Sequence, residues 1–348
     1  MPGSTYGNLH NTGHRLLSDL SDQMDAEVAA RGVMTSTMTA IRDPIFYRWH
    51  RMIDEAAARW QDAQDKLAFD DRPPVRMRKG ADGWSSPDIL LLDAAKLPGG
   101  DSLDPAPIEK AFLDAWDQDF SNDPKLAVAG AELRVASELS TFMRKATVPI
   151  VRDDAAQAVE LKHLSHDPFA YVFRLENTAD KAADITLRVF LAPEALIKSR
   201  RHWLEMDKFT ARLGPKERKA ILRLDNQSEV IKKPVDLGPD SYIPADETDD
   251  TRCACGWPYT LLLPRGTPEG MPFRLMVFAS DAAIDGFVSV QACGSVSFCG
   301  ARDEIYPDKR EMGYPFHRAW PRPIEDTVAA EPHIAGRRLA IRHRGEGV

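Results

Sequence analysis

Two histidines stand four apart in His10-Asn11-Thr12-Gly13-His14, and a third, His50, follows 36 residues later. On a helix, a spacing of four stacks two imidazoles on one face, one turn apart. His50 lies in a segment whose Phe46, Trp49, Ile53, Ala57 and Trp60 recur at helical spacing. Three neutral imidazoles brought together from two helices suit zinc or copper. His10, His14 and His50 are therefore the candidate metal ligands. Against this stands the ordinary reading: an H-x3-H pair more often belongs to surface or core, and a lone histidine on an apolar helix face is more often a satisfied core residue. Gly13 costs a helix about 1 kcal/mol relative to alanine, but it lets another backbone or a ligand approach closely.

The elements that must position these residues are legible. Leu9, Leu16, Leu17, Leu20, Met24 and Val28 predict a helix over about 8–30, with Gly32 as its C-cap. Asp43 followed by Pro44 predicts the start of a second, as N-cap and first helical residue. Residues 69–107 are rich in Pro, Gly and Asp and read as a connecting region, followed by a short helix over 108–120. From about 126 the period changes to two: Ala131, Leu133 and Val135 alternate, as do 170–175 around Tyr171 and Phe173, 185–191 and 274–278. Short alternating strands separated by turns predict an antiparallel sandwich. The tail from about 322 is polar, with a last strand over 338–342. The class is α+β, with a helical metal-site domain over 1–125 and a β-sandwich domain over 126–348.

Composition narrows the function. The chain has 43% hydrophobic and 28% charged residues, as soluble globular proteins do. A net charge of −8 argues against nucleic acid and anionic membranes as partners. No stretch is long and apolar enough to span a bilayer, and the first residues lack a signal-peptide pattern. A cytoplasmic or otherwise intracellular location is the expectation. The four cysteines, Cys253, Cys255, Cys293 and Cys299, cluster late. C-x-C and C-x5-C lack the usual C-x2-C knuckle spacing, which favours disulfides over a zinc site.

Longer motifs carry a family resemblance. Asp43-Pro44-Ile45-Phe46-Tyr47-Arg48-Trp49-His50 and Leu9-His10-Asn11-Thr12-Gly13-His14 resemble the stretches that supply the second copper site of the hemocyanin and prophenoloxidase family. His166-Asp167-Pro168-Phe169, Val189-Phe190-Leu191-Ala192-Pro193, Cys253-Ala254-Cys255-Gly256-Trp257-Pro258 and Tyr306-Pro307-Asp308-Lys309-Arg310 are similar to its third domain, in the same order. The resemblance covers essentially the whole chain. It implies ligand roles for His10, His14 and His50, and a role for Asn11 in orienting water or substrate. It also implies an immunoglobulin-like sandwich and the disulfides Cys253–Cys293 and Cys255–Cys299.

The departures bear on function. A type-3 copper site needs six histidines, and this sequence opens at the second-site motif. None of His163, His166, His202, His317, His333 and His343 forms the missing one. Tyr259 stands where some family members carry a thioester-like glutamine. One three-histidine site with an open fourth position is the usual catalytic zinc arrangement. A short hemocyanin-like chain with one such site resembles the fungal cyclopenases. The resemblance implies a zinc-dependent, non-redox enzyme of alkaloid biosynthesis acting on a small-molecule substrate, with copper as the alternative metal. Phe46 and Trp49 would wall the pocket or pack the helices together; Asp54 would steady a ligand, while Glu55 suits a solvated face. The alternatives are one subunit of a two-chain type-3 copper phenol oxidase, and a non-catalytic relative. A homodimer would bury an apolar metal-helix face.

Overall fold

The structure is a computed structural model; it describes residues 9–21, 32–35, 40–118, 120, 125–128, 130–152, 155–231, 259–288 and 308–346. The four cysteines, and with them the expected disulfides, lie outside the described residues. Contacts divide the chain into unit 1, residues 1–66, and unit 2, residues 67–348.

Unit 1 contains helices α1 (Leu9–Ser21) and α2 (Pro44–Asp62), with short 3-10 turns at Val33–Thr35 and Ala40–Arg42. The start of α2 is the one read from sequence. The Asp43 carboxylate accepts from the Ile45 amide at 2.9 Å, and Pro44 takes the first helical position, where no amide proton is needed. Met24 and Val28, expected to extend α1, lie outside the described residues.

Unit 2 holds the strands β1 (Val75–Arg76), β2 (Ile89–Asp93), β3 (Lys125–Val128), β4 (Ala131–Arg134), β5 (Glu138–Arg152), β6 (Ala155–His166), β7 (Phe169–Asn177), β8 (Ala183–Pro193), β9 (Leu204–Leu213), β10 (Arg218–Leu224), β11 (Met271–Asp281) and β12 (Ile334–Glu346). Helix α3 (Ala106–Asp114) precedes β3, while α4 (Ala282–Asp285) and α5 (Ile324–Ala330) lie between β11 and β12. A four-stranded sheet places β1 and β2 on one side of β7 and β10 on the other. A six-stranded sheet runs β6-β5-β12-β11-β8-β9, and β3 pairs with β4.

Side chains of a strand alternate between its two faces. Tyr171 and Phe173 of β7 meet Ile185, Leu187 and Val189 of β8 and Phe273, Leu275 and Val277 of β11 in one buried core. The other face of the four-stranded sheet, with Ala170 and Val172, packs on Ile108 and Phe112 of α3. The other face of β8 and β11, with Phe190, Met276 and Phe278, packs on Tyr314, Phe316, Trp320 and Ile324. This is the sandwich expected from 126 onward.

Three features differ from the sequence reading. The Pro/Gly/Asp-rich stretch 69–107 is not merely a connection: Ile89-Leu90-Leu91-Leu92 is a fully buried strand. Its four apolar residues are covered on both faces, so they lack the alternation that marks half-buried strands. The last strand, expected over 338–342, is the longer β12 and lies centrally, parallel to β5 and antiparallel to β11, so the sandwich is not wholly antiparallel. Arg337, just before the expected span, conceals the extra length: it is buried and donates to the Ile89 and Ala136 carbonyls at 3.0 and 3.4 Å. The composition shift near 126 also differs from the contact boundary at 66/67, because β1, β2 and α3 pack within unit 2.

Candidate metal centre

His10 and His14 lie one turn apart on α1, and His50 lies on the first half of α2. The three rings form a near-equilateral triangle, with centroids 4.9, 5.0 and 5.0 Å apart. One nitrogen from each falls within 4.8 Å of the others, and this is the one such group of three His, Cys, Asp or Glu side chains among the described residues.

Gly13 explains how α1 comes so near α2. A β-carbon there would fall 1.9 Å from the Trp49 ring, so the indole lies directly on the helix backbone. The Trp49 indole N–H then donates to the His10 carbonyl at 3.3 Å. Trp49 thus clamps one helix to the other beside the site. Phe46 borders the site, its ring 3.9 Å from that of His50 and 6.1 Å from that of His14. Asn11 is exposed on the same turn as His10. Asp54 is exposed, and Glu55 pairs with Arg51 at 2.7 Å.

Hydrogen bonds fix two of the three tautomers. His14 Nδ1 lies 2.8 Å from the Met34 carbonyl oxygen, and His50 Nδ1 lies 2.7 Å from that of Phe46. A carbonyl oxygen only accepts, so both Nδ1 atoms carry the proton and both neutral rings present a bare Nε2. Those Nε2 atoms are 3.3 Å apart, and His10 Nε2 is 2.9 Å from His50 Nε2. Partial burial lowers the pKa of His10, and the neighbouring His14 and His50 lower it further, favouring its neutral form.

This donor set fits a small divalent cation. Tetrahedral ligation at zinc–nitrogen distances of 2.0–2.1 Å separates the nitrogens by about 3.3 Å, the spacing of His14 from His50. His10 stands about 0.4 Å nearer to His50 than that geometry asks. The bare Nε2 lone pairs of His14 and His50 repel at 3.3 Å, and a cation between them would turn that repulsion into ligation; His10, whose tautomer is not fixed by a carbonyl, can meanwhile donate Nε2–H to His50. Histidines that donate Nδ1–H to a carbonyl are also the usual form of metal-bound histidines. The Met34 carbonyl was not legible in the sequence, because it comes from a turn 20 residues beyond His14.

The other histidines singled out serve backbone contacts. His163 Nδ1 meets the Leu164 carbonyl at 2.9 Å. His166 meets the carbonyls of Asp167 and Tyr259 at 3.1 and 3.0 Å. The Tyr259 hydroxyl donates to Asp225 at 2.8 Å.

Comparison with known proteins agrees with both parts of the chain. The family model described as hemocyanin, ig-like domain matches residues 132–343, and that described as hemocyanin, copper containing domain matches residues 2–57. Hemocyanin F chain of Aphonopelma sp. is 31% identical, over 90% of this chain and 45% of its own length. Hemocyanin AA6 chain of Androctonus australis is 30% identical, over 94% and 47%. The chain thus spans about half the length of the curated relatives it matches. Among solved structures, scorpion hemocyanin superposes with a TM-score of 0.68 at 26% identity, covering 98% of this chain and 50% of that one. A crustacean prophenoloxidase gives 0.66 at 25%, covering 97% and 44%. AsqI with Zn shares the fold at 0.55 and 22%, covering 90% and 47%. The matched sandwich, together with the histidine triad inside the segment matching the copper-containing domain, places the chain: it belongs to the hemocyanin family.

Proposed function

We propose that this chain is a zinc-dependent, non-redox enzyme of secondary metabolism. Its reaction is a cyclopenase-type ring contraction, converting a benzodiazepinedione epoxide such as cyclopenin to the quinolone viridicatin with loss of methyl isocyanate. The observation that carries the reading is the triad itself: three imidazoles on two helices, two of them held by carbonyls in the tautomer that aims Nε2 inward. AsqI, which shares the fold, has been solved with Zn, and this supports zinc as the metal here.

Bound zinc supplies Lewis acidity and lowers the pKa of a coordinated water to about 7. The protein's own residues do the rest. His14 and His50 keep their lone pairs aimed at one point without reorganisation. Phe46, against the His50 ring, gives a flat substrate an aromatic surface beside that point. Asn11, beside His10 and exposed, orients water or a substrate carbonyl by its amide. Trp49 acts through the helix clamp.

A second reading has its own support. The copper-containing-domain match and the hemocyanin relatives favour a half-site of a two-copper phenol oxidase. All nine histidines of the sequence are described, and the six outside the triad do not gather into a second one, so in this reading its other three histidine ligands would come from a partner chain. Anaerobic incubation of the zinc-loaded protein with cyclopenin separates the two. Formation of viridicatin and methylamine without oxygen supports the lyase. No turnover, with oxygen-dependent diphenol oxidation by the copper-loaded protein and a partner chain, overturns it.

A further inference from the structure

Ser18 stands one turn beyond His14 on α1, as His14 stands one turn beyond His10, so the three share a helix face. Its side chain is buried, and its hydroxyl donates to the Gly32 carbonyl at 2.7 Å. Two residues later, buried Met34 presents the carbonyl that accepts from His14 Nδ1 at 2.8 Å. Two bonds, one turn apart on α1, therefore tie down the same three-residue stretch. Glycine at 32 leaves that stretch its widest backbone freedom, and the Ser18 hydroxyl holds it at that point.

Resting on the reading of the triad as a metal site, we propose that Ser18 is a positioning residue for it. Its bond to Gly32 holds the Met34 carbonyl where it fixes the Nδ1–H tautomer of His14 and keeps Nε2 aimed at the ion. The other fixed ligand needs no such strut. His50 bonds the Phe46 carbonyl of its own helix, four residues back, and that acceptor comes with α2. Loss of the Ser18 hydroxyl thus acts on one ligand and spares another. Partners that orient ligating histidines commonly change metal affinity by about 10–100-fold; the indirect path through Gly32 places Ser18 near the lower end.

The test uses the full chain with ¹⁵N-labelled histidine, wild type and Ser18→Ala. Long-range ¹H–¹⁵N spectra of the metal-free protein report each ring's tautomer, and zinc affinity is read by competition with a chromogenic chelator. The expected result is His14 losing its single Nδ1–H form in the variant while His50 keeps it, with zinc bound about tenfold more weakly. His14 and His50 changing together would make Ser18 a packing residue only and overturn the proposal. An unchanged His14 with zinc affinity within about twofold of wild type, well short of that tenfold, would overturn it too. A selective tautomer change in a protein whose wild type takes up no zinc would overturn the metal reading and leave the Ser18–Gly32–Met34–His14 relay assigned.

Discussion

Phe173, Ile185, Val189 and Leu275 of unit 2 are buried to within 2% between two sheets, whereas the buried side chains described in unit 1 are Ser18, Met34, Ala40 and Ala58. In unit 1, Leu9, Leu16, Tyr47 and Trp60 are each about 60% exposed. A fully buried methionine contributes about 1.5–3 kcal/mol, which is small beside an ordering cost of about 1–2 kcal/mol per residue. Unit 2 holds its shape by apolar burial. Unit 1 holds its candidate site by a glycine contact, an indole clamp and carbonyl bonds, and would gain most from an ion that bound only the assembled triad. One chain thus joins a scaffold built for stability to a site built for ligation.

Substitutions can break this contrast, beginning with the largest effect. Phe173→Ala empties the sandwich core and should cost about 3–5 kcal/mol in denaturant unfolding of unit 2. Zinc uptake by the folded variant should stay at the wild-type level; a parallel loss would show that the two units do not stabilise themselves separately.

Acid should also act on unit 2. His333 is buried against Phe69 and Phe278, and neither ring nitrogen meets a hydrogen-bond partner among the described residues. Burial first, then Arg72 and Lys79, pulls its pKa down to about 3. The folded state keeps the ring neutral while the unfolded chain takes up a proton below about 6.5. The ring's contribution is therefore complete above pH 6.5 and is lost as pH falls from there toward 3. Stability of unit 2 should fall by roughly 1.4 kcal/mol per pH unit over that range, and His333→Phe should remove this part of the slope in acid titrations.

Gly13→Ala sharpens the comparison from the other side. Alanine favours a helix over glycine by about 1 kcal/mol, so α1 alone gains. The added β-carbon nevertheless meets Trp49, and such overpacking costs about 1–3 kcal/mol. Zinc binding should weaken by about 10-fold or more in chelator competition, with unit 2 unfolding unchanged. Tighter zinc binding would mean that helix propensity, and not close approach, limits the site. Asp43→Ala removes the cap of α2 and should cost about 1 kcal/mol, read as a few-fold loss of zinc affinity.

The sequence made the donors legible and left their supports hidden. His10 and His14 lie a helical turn apart, and Asp43-Pro44 marks a helix start, so both triad-bearing helices could be read from short-range pattern. Trp49 also stood on an apolar stripe, but only the fold shows it lying on Gly13. Met34 enters through a backbone carbonyl, which no side-chain pattern encodes. In unit 2 the alternation of Tyr171 and Phe173 announced a sandwich strand. The run 89–92 did not announce its strand, and β12 showed only its 338–342 part, because burial on both faces and the buried, hydrogen-bonded Arg337 blur the period-two signal.

We propose that His10, His14 and His50 form one zinc site. Elemental analysis of the full chain purified without added metal, beside His50→Ala, tests it directly. About one zinc per chain, lost in the variant while unit 2 stays folded, is expected for a three-histidine donor set with an open fourth position. Copper near one per chain, or zinc retained in His50→Ala, would contradict it.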